Sequence, residues 1–167
     1  MLPSSAPSNL RAHQPLSPRE AVALAGLARR LRQLALAGAL PPLLRGKNIG
    51  LLRDSHGDEA PLLLLQAARE LGAHVATLRW RLAGASQPGE VQHTGRMLGR
   101  LYDALVCQGM AADQVRQIGL AAGIPVFDDI AADAHPSARL AEALADEAPH
   151  ADNRRFVLQA LLVDGLS

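Results

Sequence analysis

The stretch from Leu44 to Gly72 constrains the fold more than any other part of the chain. Asn48 to Arg53 reads as a short apolar strand, and Ala60 to Gly72 as a helix with Leu64, Ala67, Ala68 and Leu71 on one face. Between them lies a polar turn, Asp54-Ser55-His56-Gly57-Asp58-Glu59. A strand that feeds a helix through such a turn aims the helix's unpaired N–H groups at it, which is where α/β proteins hold phosphate. Here the turn offers Asp58 and Glu59 where an anion would need basic or hydroxyl groups. The backbone arrangement favours an anion and the charges oppose one. In the first turn of the helix the two acids would complement its dipole, each contributing about 0.3–1 kcal/mol.

The rest of the chain repeats the same alternation. Ser17-Pro18-Arg19-Glu20 is a capping box with proline at the first helical position, and Leu24, Leu27, Leu31 and Leu34 give the helix that follows a buried stripe. Gly38 and Pro41-Pro42 end it. His74 to Arg81 is a second strand, and a helix from Glu90 to Arg100 carries Thr94, Met97, Leu98 and Leu101 on one side. Ala104 to Cys107 reads as a strand buried on both faces. Ala111 to Ala122 is helical, Pro125-Val126-Phe127 is a fourth strand, Pro136 opens a further helix, and a last helix spans Asn153 to Val163. Strands alternating with helices predict an α/β fold, a single doubly wound domain with a four-stranded parallel sheet covered by helices on both faces. Residues 1–16 are expected to form a disordered or loosely packed lead, and residues 17–167 the domain.

Composition narrows the function. Of 167 residues, 49% are hydrophobic and only 2% aromatic, so the core must be built from small aliphatic contacts. A net charge of +1, without a Lys/Arg run, argues against nucleic acid as a partner. Arg29, Arg30 and Arg32 read as a solvated helix face. No run of about 18 apolar residues occurs, so no membrane span is expected, and residues 1–15 lack the basic start and apolar run of a signal peptide. The expected location is cytoplasmic. The single cysteine, Cys107, excludes an internal disulfide and reads as a buried, inert thiol. His56, His74, His93 and Asp54 have no metal-ligand spacing, so neither a metal nor a cofactor is expected.

Several segments carry a resemblance when taken together. They are Leu43-Leu44-Arg45-Gly46-Lys47, Ala67 to His74, Thr94-Gly95-Arg96-Met97-Leu98 with Tyr102 to Val106, Gly123-Ile124-Pro125-Val126, and His135-Pro136. In order and spacing they resemble the carbamoyl-phosphate-binding domain of the ornithine and aspartate carbamoyltransferases. Asp152-Asn153-Arg154 through Leu162 is similar to that family's final helix, which there follows a second, amine-binding domain. The resemblance implies that the second domain is missing between the helix after His135 and this last helix.

It also implies a degenerate site. Where the family grips phosphate with Ser-Thr-Arg-Thr-Arg, this chain has Gly57, Asp58, Glu59, Ala60 and Pro61. Gln108 stands for the arginine after the third strand, and Ala138 for the glutamine after His-Pro. His135 and Thr94 remain, with Arg96 nearby and able to pair with the two acids. The candidate cleft is therefore Asp54, Ser55, His56, Gly57, Asp58, Glu59, Thr94, Arg96, Gln108 and His135, with His135 a vestigial catalytic candidate or simply a residue that starts a helix. The expected function is non-catalytic, exercised through self-association or association with an active carbamoyltransferase paralogue. A homo-oligomer is expected, a trimer by resemblance, held partly by Gln87 to Arg100. Two alternatives remain open: a binding module for another small ligand in the former phosphate cleft, where Asp54, Asp58 and Glu59 would suit a cation, and a transferase completed by a partner chain.

Overall fold

Ser17 accepts the Glu20 N–H with its hydroxyl while the Glu20 carboxylate reaches back to the Ser17 N–H, and Pro18 occupies the first turn. This capping box starts α1 (Pro18–Leu36). The computed structural model describes residues 10–11, 15–54, 61–80, 88–144 and 149–167. The order continues with β2 (Asn48–Arg53), α2 (Leu62–Glu70), β3 (His74–Arg79), α3 (Pro88–Leu101), β4 (Ala104–Gln108), α4 (Ala112–Ala122), β5 (Val126–Asp128), α5 (Ala138–Ala143) and α6 (His150–Leu166). Ahead of α1 lies β1 (Leu10–Arg11).

All pairings are parallel, and the sheet order is β1-β5-β4-β2-β3. The four expected strands are present. Two residues of the stretch expected to be a loose lead, Leu10 and Arg11, add a short edge strand against Val126 and Phe127. Too short to show alternation, it is stabilised by pairing with β5 and carries no pattern of its own.

Alternation along the strands divides the core. Ile49, Leu51, Ala104, Val106 and Phe127 face the layer of α1, α2, α5 and α6. Leu52, Leu105, Cys107 and Val126 face α3 and α4. Chain order reverses between β2 and β4, which sit side by side although β3 comes between them in sequence. Such a reversal opens a crevice at the strands' C-terminal ends, where doubly wound proteins place their ligands.

Two helix faces differ from expectation. On α3 the buried residues are Val91, Gly95 and Leu98, whereas Met97 and Leu101 are 46% and 60% exposed. The helix is placed by glycines: a methyl on Gly95 would press on Ala121, and one on Gly99 would run into the Ala122 backbone. On α1, Arg29 and Arg30 are exposed as expected, but Arg32 is half-buried and donates to the Leu144 carbonyl and to Asn153 Oδ1 at 3.1 and 3.0 Å. Among the described residues, no helix is long and apolar enough to cross a membrane.

Replacing Gly99 with alanine should therefore destabilise the domain by about 1–3 kcal/mol or more, because α3 must lift from α4. Gly89→Ala, on the same helix with open space around it, should cost far less. Urea unfolding of the two variants checks this.

Candidate functional site

The edge of the sheet that the topology singles out is formed by the ends of β2, β4 and β5. Arg53 and Gln108 are paired in register, as are Cys107 and Asp128. Asp54 follows Arg53 and is exposed. Asp129 adopts a left-handed φ of 55°, a conformation that Asp tolerates better than most residues. There its N–H donates to the Cys107 carbonyl, and its Oδ1 accepts the Gly109 N–H, both at 2.8 Å. The carboxylate thus ties the loops after β4 and β5 together. Asp54, Asp128 and Asp129 set three carboxylates along this edge, beside Arg53 and, in register with it at the end of β3, Arg79. Gln108 ends β4 with an uncharged amide, whose buried Oε1 finds no donor.

The other side of the crevice is the start of α2. Pro61 occupies its N-cap position and makes no side-chain cap, and the helix proper opens with four leucines, Leu62 to Leu65. Asp58 and Glu59, expected in this first turn, precede it. Ser55, His56, Gly57, Asp58 and Glu59 lie outside the described residues. The described first turn has neither a hydroxyl nor a cation, and proline brings no N–H.

His135 is 5% exposed and held from within the chain. Its Nδ1 accepts the Ser137 N–H at 3.2 Å and lies 2.7 Å from Ser137 Oγ. Arg154 of α6 donates to Ser137 Oγ at 3.2 Å and to the carbonyls of Ile130 and Ala132 at 2.6 and 3.2 Å. With Arg154 donating to the hydroxyl, the hydroxyl proton is directed to Nδ1, which assigns the neutral ring's proton to Nε2. Burial lowers the pKa of Arg154, and the nearby charge of Asp133 opposes that shift. Arg154, Ser137 and Asp129 were not singled out by sequence reasoning. The Asp128-Asp129 pair at the end of β5 is the one sequence signal that could have marked a turn there.

The remaining candidates lie elsewhere. Thr94 is half-buried on α3. Arg96 is exposed and lines a groove with Ala121 and Ala122, at the end of α4 that leads into β5, away from the crevice. No ion pair involves it among the described residues. Cys107 is fully buried, and burial, then Asp128 and Asp129, push its thiol far above the usual range. It stays protonated and inert, as expected. Among the described residues, no three His, Cys, Asp or Glu side chains gather in a way that could hold a metal.

No family model matches the chain. Its sequence is 34% identical over 121 residues to an ornithine carbamoyltransferase of Cutibacterium acnes, covering 72% of this chain and 36% of that protein. It is 32% identical over 126 residues to one from Actinobacillus pleuropneumoniae, covering 75% and 38%. The chain is related to the carbamoyltransferases. Its fold matches the ornithine carbamoyltransferase of Pyrococcus furiosus with a TM-score of 0.63 at 20% identity, covering 75% of this chain and 40% of the other. The catalytic subunit of M. jannaschii aspartate transcarbamoylase gives the same score and identity, over 76% and 42%. This carbamoyltransferase-like chain spans well under half the length of the relatives it matches.

Arg154 donates to two loop carbonyls and to Ser137; the Ala132 carbonyl also accepts the His135 N–H at 3.1 Å, so loss of Arg154 takes a donor chiefly from the Ile130 carbonyl and from Ser137 Oγ. Arg154→Ala should destabilise the domain by roughly 1–3 kcal/mol for each group left unsatisfied. Arg154→Lys should recover only part of this, because one ammonium cannot span the same acceptors. Chemical denaturation of the two variants separates these outcomes.

Proposed function

We propose that this chain is a carbamoyltransferase-like domain that does not transfer carbamoyl groups and acts by association, with itself or with an active family member. The observation that carries the reading is the start of α2, where proline and four leucines stand at the helix end that would have to grip phosphate. Three carboxylates along the facing strand ends add repulsion. A like-charge contact near a protein surface costs roughly 1–4 kcal/mol. Each missing charge-assisted hydrogen bond forfeits about 1.5–3 kcal/mol more. Only six residues separate α5 from α6, so no amine-binding domain is inserted there.

Calorimetry with millimolar carbamoyl phosphate should show no binding, and assays for citrulline and carbamoyl-aspartate should not exceed the no-enzyme control. Micromolar binding or measurable turnover would overturn the reading in favour of a transferase completed by a partner.

Association is supported by exposed apolar side chains on the α3–α4 layer: Met97, Leu101 and, at 63% exposure, Leu120. The family resemblance favours a trimer, with Gln87 to Arg100 contributing. Light scattering at tens of micromolar should report about three chain masses. A mass near 17.6 kDa would leave only association with a different protein.

A further inference from the structure

The C-terminal ends of α1 and α2 and the first turns of α6 border a cavity of about 660 Å³, a size that takes a small organic molecule. Helix α1 contributes Arg32 and Leu36, α2 its last residue, Glu70, and α6 contributes Asp152, Arg155 and Phe156. These helices belong to the layer on the opposite side of the sheet from α3 and α4.

The four charged groups are not equivalent. Arg155 is shared between two carboxylates, pairing with Glu70 Oε1 and, at 3.3 Å, with Asp152 Oδ1. The other oxygen of Glu70 accepts from Gln159 at 2.8 Å, so that carboxylate is already filled. Arg32 is the cation left without a carboxylate. It is half-buried, and its Nη1 donates to the Leu144 carbonyl and to Asn153 Oδ1 at 3.1 and 3.0 Å, both neutral acceptors. Its Nε and Nη2 make no hydrogen bond, and it forms no ion pair, among the described residues. Two bonds through one nitrogen hold the guanidinium in place. They leave unused the Nε–Nη2 edge, which takes a carboxylate by two parallel hydrogen bonds.

Leu36, 82% exposed, the Phe156 side chain and Leu40 give the same cavity an apolar wall. A doubly charged anion would meet the repulsion of Glu70 and Asp152. A cation would find only carboxylates that Arg155 already engages, and a neutral molecule would leave the Arg32 edge unused. We propose that this cavity binds a monocarboxylate with an apolar body, of the short- or medium-chain fatty acid kind. Its carboxylate lies on the Nε–Nη2 edge of Arg32, and its hydrocarbon covers Leu36, Leu40 and Phe156. The site is independent of the crevice and of the α3–α4 face: carbamoyl phosphate binding or a change of oligomeric state leaves it unaffected.

The test is calorimetry of the full chain with octanoate. Three further probes each change one property: octanol lacks the charge, acetate lacks the hydrocarbon, and octyl phosphate in mild base carries a second charge. Octanoate should bind once per chain with a Kd below about 1 mM, and each of the others about tenfold or more weaker. Arg32→Gln should weaken octanoate by a similar factor. So should Leu36→Glu, which brings a like charge to the apolar wall at a position exposed enough to leave folding intact. Arg32 also ties α1 to α6, so if Arg32→Gln melts early by circular dichroism, Leu36→Glu decides the matter. The proposal is overturned by no saturable heat up to about 10 mM octanoate, by octanol or octyl phosphate binding as tightly, or by unchanged affinity in Leu36→Glu.

Discussion

Arg154 is only 5% exposed, and its burial sets the terms on which α6 can join the domain. A guanidinium removed from water is costly unless its donors find acceptors. Here they are met by the carbonyls of Ile130 and Ala132 and by the Ser137 hydroxyl, all in the loop between β5 and α5. The same contacts hold His135 in place, because Ser137 links the two. The loop after β5, the short helix α5 and the long helix α6 are therefore one cooperative unit.

Neighbouring residues of α6 extend this logic. Asn153 accepts from Arg32 and donates to the Leu144 carbonyl at 3.2 Å, joining α1, the end of α5 and α6. Gln159 donates to Glu70 at 2.8 Å, and Arg155 pairs with the same carboxylate, so α2 is fastened at its C-terminal end. Apolar packing supplies the larger share of the free energy, through Phe156, Val157, Leu158, Leu161 and Leu162. Such packing is non-directional. The polar anchors select one rotation and one depth for α6 among the many that would bury comparable area. Gly165 then lets the helix lie directly against the Phe127 ring, where a methyl would collide.

What was legible in the sequence is what local rules decide. The capping box at Ser17 to Glu20 placed the start of α1, and the apolar run with its flanking turn marked β2 at Asn48–Arg53 without error. Elements set by tertiary contact were harder. Apolar periodicity assigned Met97 and Leu101 to the packed side of α3, but close approach at Gly95 and Gly99 turned the helix otherwise, and glycine leaves no mark in a hydrophobic pattern. The buried polar residues of α6 break periodicity in the same way, since Asn153, Arg154 and Gln159 read as surface until their partners are known. In the crevice, the charge contradiction was visible at once. The tie between Asp129 and Gly109 was not, because it joins loops twenty residues apart.

That tie and the Arg154 cluster account for which family-like residues are present. His135, Asn153 and Arg154 all have partners inside the chain, so folding alone gives each a reason to be where it is. The positions that depart from the family pattern, Gly57 to Pro61, Gln108 and Ala138, are those that the resemblance alone assigns to ligand contact. Gln108 shows the difference most clearly. A buried amide oxygen without a donor costs roughly 1–3 kcal/mol, and Gln108 Oε1 is left without one at the end of β4. An arginine there would bring a cation to an edge already carrying Asp54, Asp128 and Asp129. The amide brings no further cation to that edge, where Asp54, Asp128 and Asp129 stand with Arg53 and, in register beside it, Arg79.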